Sequence, residues 1–131
     1  MNMENDSADG HENEAISWHV EVAVKAGELE QFRTLTLEMV NVARGEPGVL
    51  IYERYIDGGG KHVHIYERYS NSLAALAHLK TFNERFASQY SELVERKVFT
   101  VFGAPSDELR RMLKKLGASF CEHFAGFSRC S

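Results

Sequence analysis

The residues of this chain whose types could do chemistry crowd into one stretch, 48–69. Ile51-Tyr52-Glu53-Arg54-Tyr55 recurs letter for letter as Ile65-Tyr66-Glu67-Arg68-Tyr69, and His62 and His64 stand between the copies. Tyr52, Tyr66 and Tyr69 are the types that orient a phenolic ring, or equally that pack an ordinary sheet. Glu53 and Glu67 suit a buried polar pair with Arg54 or Arg68, or plain cross-strand salt bridges. His62 and His64 share a strand face, a spacing that can bind metal. No Cys or clear third ligand stands beside them, so no metal is expected. Cys121 and Cys130 belong to no Cys–His constellation.

The spacing also predicts the elements that must hold these groups. Both pentapeptides are aromatic and β-branched and read as strands. Asp57-Gly58-Gly59-Gly60 reads as the turn between them, since glycine reaches positive φ without steric cost. With Asp57 opposite Lys61, Glu53 and Glu67 share a face with Ile51, Ile65, Tyr55 and Tyr69. Tyr52, Tyr66, Arg54, Arg68, His62 and His64 then share the other, and a slip of one residue mixes the two sets.

Upstream, Ile16, Trp18, Val20, Val22 and Val24 alternate with Ser17, His19, Glu21 and Ala23, a half-buried strand. Leu29, Phe32, Leu35, Met39, Val40 and Ala43 fall at helical spacing, and Gly45 and Pro47 end that helix. Downstream, Ser72 is the expected N-cap of a stripe through Leu73, Leu76, Leu79, Phe82, Phe86, Tyr90 and Val94. That stripe runs to Glu95 with a break near Thr81. Residues 97–103 alternate again. Ser106 caps a short helix with Leu109, Met112, Leu113 and Leu116 on one side, stopped by Gly117. Phe120, Phe124 and Phe127 follow.

The order β-α-β-β-α-β, plus a helix and tail, is the split βαβ arrangement of the ferredoxin-like α+β class. It predicts a four-stranded antiparallel sheet with helices on one face. The apolar first strand, with Trp18, is expected to meet a second copy, giving a homodimer through the sheet face. Residues 1–15 are expected to be a disordered acidic tail, 16–104 the domain, and 105–131 a C-terminal helix and docking tail. Within the last, 118–127 is expected to cross onto the partner or to cap a cleft.

Composition narrows the function. The 131 residues suit one domain. The net charge of −4 is concentrated at the start, where Glu4, Asp6, Asp9, Glu12 and Glu14 meet no Lys or Arg before residue 16. The remainder is nearly neutral and lacks the basic patch that nucleic acid demands. No apolar run approaches the roughly 20 residues of a membrane span, and no secretory signal opens the chain. Two cysteines make no disulfide framework. The expectation is a cytoplasmic protein with neither nucleic-acid nor membrane partners.

Five short motifs in order carry a family resemblance over roughly residues 16–102. They are Lys25-Ala26-Gly27-Glu28, Glu46-Pro47-Gly48-Val49-Leu50-Ile51-Tyr52, Tyr66-Glu67-Arg68-Tyr69, Ala77-His78-Leu79, and Phe82 with Phe86. Together they resemble the antibiotic biosynthesis monooxygenase family, which includes quinol monooxygenases and forms a dimeric α+β barrel. The resemblance implies oxygenation of quinols or related polyphenols by molecular oxygen, with no metal, flavin or other cofactor, in a cleft between sheet and helices. Such chemistry needs a base, and histidine is the type that titrates near neutral pH, which points to His78. Arg68 or Arg54 would stabilise developing oxyanion charge. Tyr52, Tyr66, Glu67, Tyr69, Phe82 and Phe86 would line the substrate site. The alternatives are a non-catalytic ligand-binding or regulatory dimer on the same scaffold, and a haem-binding relative. The haem-degrading branch has tryptophan at the position of His78 and a histidine a turn or more later, which this chain lacks.

Overall fold

A computed structural model describes residues 14–129. The expected acidic tail therefore falls almost wholly outside the described residues, as does Cys130. The elements run β1 (Ile16–Val24), α1 (Leu29–Arg44), β2 (Val49–Ile56), β3 (His62–Tyr69), α2 (Ser72–Arg85), α3 (Ala87–Leu93), β4 (Val94–Phe102), α4 (Asp107–Lys115) and β5 (Ser119–Cys121). Among the described residues no helix is long and apolar enough to cross a membrane.

The split βαβ order is present, and β2-β3-β1-β4 pair antiparallel as expected. The sheet is not four-stranded, however. β5 adds to the β4 edge in parallel, pairing Thr100 with Ser119 and Phe102 with Cys121, so the sheet is five-stranded and mixed. A three-residue strand is too short to show alternation in sequence. Part of the expected docking tail thus closes this chain's own sheet edge, while Phe124 and Phe127 stay exposed.

Two further expectations change on the page. The stripe after residue 72 breaks at Phe86, which leaves helical geometry with φ −128° and ψ −24°, and not at Thr81. A β-branched residue costs a helix only a few tenths of a kcal/mol, whereas the break at Phe86 turns Tyr90 back onto Phe82 and Phe32. The second helix stops at Leu93, because Val94 already pairs with Val24 of β1. Asn71, rather than Ser72, caps α2 by accepting from the Ala74 amide. Ser106 caps α4 as expected, accepting from the Leu109 amide.

The hairpin register is the change that matters most. Asp57 pairs across to His62 and not to Lys61, because its carboxylate accepts from the amides of both Lys61 and His62 and draws Lys61 into the turn. Gly60, at φ +70°, completes that turn. Tyr52 then faces Glu67, and Arg54 faces Ile65. Tyr52, Arg54, Ile65, Glu67 and Tyr69 thereby share one face. Arg68, Tyr66, His64 and His62 are on the other, with Glu53 and Tyr55 of β2.

The first face is the core. Ile16, Trp18, Val20 and Val22 pack with Phe32, Leu35 and Met39 of α1, Leu109 and Leu113 of α4, and Phe99 and Val101 of β4. Trp18 is therefore under the helices, which corrects its expected place at an interface between copies. Alternation along β1 separates two sets of side chains but does not say which set the helices cover.

Gly48 sets the spacing between β2 and α2. Its carbonyl accepts from the Ser70 amide at 2.9 Å, and a Cβ placed there would lie 2.4 Å from the Ala74 Cβ. Gly48→Ala must push strand and helix apart, and is expected to lose about 1–3 kcal/mol, as overpacking does. Equilibrium urea unfolding reads this directly. An unchanged midpoint would mean that the contact relaxes freely.

Candidate active site

The cleft lies between the sheet and the helices and encloses about 710 Å³. Its floor is the buried carboxylate of Glu67. The Glu67 Oε1 atom accepts from Trp18 Nε1 at 2.9 Å and from the Tyr69 hydroxyl. Arg54 Nη2 donates to Oε2 at 2.5 Å. Both members of this ion pair are about nine-tenths buried. The Arg54 guanidinium also stacks 3.6 Å over the Tyr52 ring, and its Nη1 atom is buried with no hydrogen-bond partner among the described residues. The β3 pleat aims Glu67 and Tyr69 inward, β1 supplies Trp18, and β2 supplies Arg54 and Tyr52.

His78 enters from α2. Its Nδ1 lies 2.7 Å from Oε1 of Glu46, in the turn after α1. A carboxylate only accepts, so Nδ1 carries the proton of that bond, and the neutral ring presents a lone pair on Nε2. Nε2 is 3.9 Å from Glu67 Oε1, too far for a hydrogen bond. It is thus left for a ligand. Tyr52 meets the imidazole edge-on at 5.4 Å between ring centroids, and Tyr69 lies tilted against it at 5.2 Å.

Electrostatics separate the roles. Burial alone would raise the Glu67 pKa, but the Arg54 charge and the bonds from Tyr69 and Arg54 hold it below the ordinary carboxylate value. A carboxylate so well supplied with donors is a poor proton acceptor. Burial, then the Glu67 charge, pushes the phenols of Tyr52 and Tyr69 up, and burial does the same at Tyr90. These phenols stay protonated. His78 lines the cleft and, with Nδ1 bonded to Glu46, keeps an Nε2 lone pair that can accept a proton.

The family model for antibiotic biosynthesis monooxygenases matches residues 15–96. The chain belongs to that family. Among solved structures it is similar to MupZ from Pseudomonas fluorescens, 26% identical, with 89% of this chain and 96% of that chain covered at a TM-score of 0.78. Rv0793 from Mycobacterium tuberculosis is 24% identical over 71% of this chain and 96% of its own, at 0.61. SnoaB from Streptomyces nogalater, described as a cofactor-independent oxygenase, shares the fold at 13% identity over 70% and 94%, at 0.59. No functionally curated protein matches the chain.

Against this family frame, the sequence-predicted site divides. His78, Glu67 and Phe82 line the cleft, and Tyr52 and Tyr69 flank the His78 ring. Phe86 is buried in the core beside them. Arg68 and Tyr66 are on the opposite face of the sheet, pairing across to Ser17 and His19, and so do not meet His78 within this chain. The guanidinium that pairs with Glu67 in the cleft is Arg54. The one-residue change in register separates the two arginines, bringing Arg54 to the Glu67 face and leaving Arg68 on the other. His62 bonds Asp57 in the turn and His64 stacks on His19 at 5.3 Å. Sequence reading did not assign Trp18, Glu46 or Tyr90 to the site. Glu46 is hidden in a helix-ending turn, though it opens the Glu46-Pro47-Gly48 motif. Trp18 and Tyr90 follow apolar periodicity and look like packing.

Proposed function

We propose that the chain is a cofactor-independent monooxygenase of quinol or polyphenolic substrates, with His78 as the base. The observation that carries this reading is His78 itself, a residue of the cleft lining whose Nδ1 is tied to Glu46 while Nε2 stands beyond hydrogen-bond reach of Glu67. Membership of the family and the fold shared with a cofactor-independent oxygenase support it. Nε2 takes the phenolic proton, and the electron-rich phenolate passes an electron to oxygen. The two radicals join as a ring peroxide anion, which takes the proton back from His78 to become the hydroperoxide, and loss of water leaves the oxidised product. For a 1,4-quinol, one oxygen atom ends on the ring of a hydroxyquinone and the other leaves as water. Arg54 holds positive charge beside the developing anion, and Tyr52 and Tyr69 pack against the His78 ring. Oxygen uptake with a panel of hydroquinones, with products weighed by mass spectrometry, tests the reading. Binding without uptake would make the protein a ligand-binding member of the same fold.

The reading includes a homodimer, now through the face the helices leave uncovered. Val98, Phe102 and Tyr55 are exposed there, and Arg68 keeps a buried Nε with no partner among the described residues. Val98→Asp with Phe102→Asp would place two charges on that face. The unmutated chain is expected to sediment as a dimer and the double variant as a monomer. A wild-type monomer at micromolar concentration would overturn the assembly.

A further inference from the structure

One wall of the cleft comes from α4, beyond the residues matched to the family. Leu109 and Leu113 of that helix are fully buried in the core, but Met112 and Leu116 remain 37% exposed and line the cleft. The helix is firmly held. The Ser106 amide donates to Ser72 Oγ at 2.9 Å, Arg96 of β4 donates to the Leu116 carbonyl, and β5 ties the following residues to the sheet. Apolar side chains kept half-exposed on a fixed wall are placed to be covered by whatever fills the cleft.

The charges along this cleft are unequal. Arg54 and Glu67 offset one another at the floor. Toward solvent the lining holds Lys80, Arg96 and Lys115 against Glu108. Lys80 on α2 and Lys115 on α4 are exposed and have no ion pair or hydrogen bond among the described residues. A cleft rimmed by one sign of charge concentrates ligands of the other.

We propose that α4 is the specificity-determining wall and that it selects a substrate bearing a carboxylate beside its aromatic body. The apolar part lies on Met112 and Leu116, and the carboxylate meets Lys80 and Lys115. This rests on the cleft being the substrate site, but not on the oxygen chemistry. Trp18 is the sole tryptophan of the chain and lies in the cleft, so its fluorescence reports occupancy. The probes are 1-hydroxy-2-naphthoate and its neutral counterpart 1-naphthol, titrated against the full chain.

The carboxylate probe is expected to bind roughly tenfold more tightly, the step that two exposed charge pairs together can supply, with an advantage that shrinks as salt rises. Lys80→Ala with Lys115→Ala should erase that advantage and leave 1-naphthol unchanged. Met112→Ala should weaken both probes alike. Equal affinities for the two probes in the unmutated chain, or a preference that survives loss of both lysines, would overturn the proposal. Quenching by neither probe would remove the substrate cleft and this inference together. A lysine-dependent preference without oxygen uptake would leave this inference standing and sink the oxygenase reading.

Discussion

Glu67→Leu is expected to lose about 3–5 kcal/mol of folding stability, the cost of stranding one partner of a buried ion pair. The loss follows from what remains. Arg54, about nine-tenths buried, would keep its charge with no counter-ion, and its Nη1 already lacks a partner among the described residues. Trp18 Nε1 and the Tyr69 hydroxyl would lose their acceptor as well. Arg54→Met should cost less, because Glu67 keeps its bonds from Trp18 and Tyr69. Combining the two should recover part of the loss, since removing both charges avoids the stranded one. Urea unfolding of the four proteins closes the cycle. Simple additivity would mean that the pair is not coupled.

The same carboxylate predicts a pH dependence with a definite sign. The folded Glu67 pKa lies below its ordinary value of 4.5. Its contribution is therefore complete above about pH 4.5 and is lost as pH falls through the folded value. Glu67→Gln removes that acid limb. Asp57, lowered to about 2 by the His62 amide, the His62 ring and the Lys61 amide, contributes in the same direction in both proteins and cancels from the comparison. Identical acid profiles would mean that Glu67 is not held ionised by its neighbours.

His78→Ala is expected to slow turnover by roughly 10²–10⁴-fold, the usual worth of general acid–base catalysis, and added imidazole should restore part of the rate. Glu46→Gln should give a smaller loss, because an amide can present either a donor or an acceptor to Nδ1 and no longer enforces the tautomer. Melting curves taken alongside separate catalysis from folding. A His78→Ala enzyme with full oxygen uptake would return this residue to packing between Tyr52 and Tyr69.

Much of the scaffold was legible because it rests on local rules. The repeated pentapeptide, the alternation of β1 and the Ser106 cap each point to one element. The site was less legible because it depends on non-local choices. Whether Asp57 pairs with Lys61 or His62 turns on side-chain bonds within the loop, yet it decides whether Arg54 shares a face with Glu67 or lies on the other with its sequence twin Arg68. Trp18 lies in the core and not on its expected side, because a central strand has two faces and its pattern names neither. His78 was legible by type and motif, whereas its partner Glu46 lies 32 positions away and only packing brings them together.

Incubation with ¹⁸O₂ tests the central claim most directly. With an accepted quinol, the unmutated protein is expected to place one labelled atom in each product molecule while consuming oxygen in equal measure, and His78→Ala should fall toward the uncatalysed background. Product oxygen drawn from water, or labelling by the unmutated chain no faster than without protein across the whole quinol panel, would contradict the account.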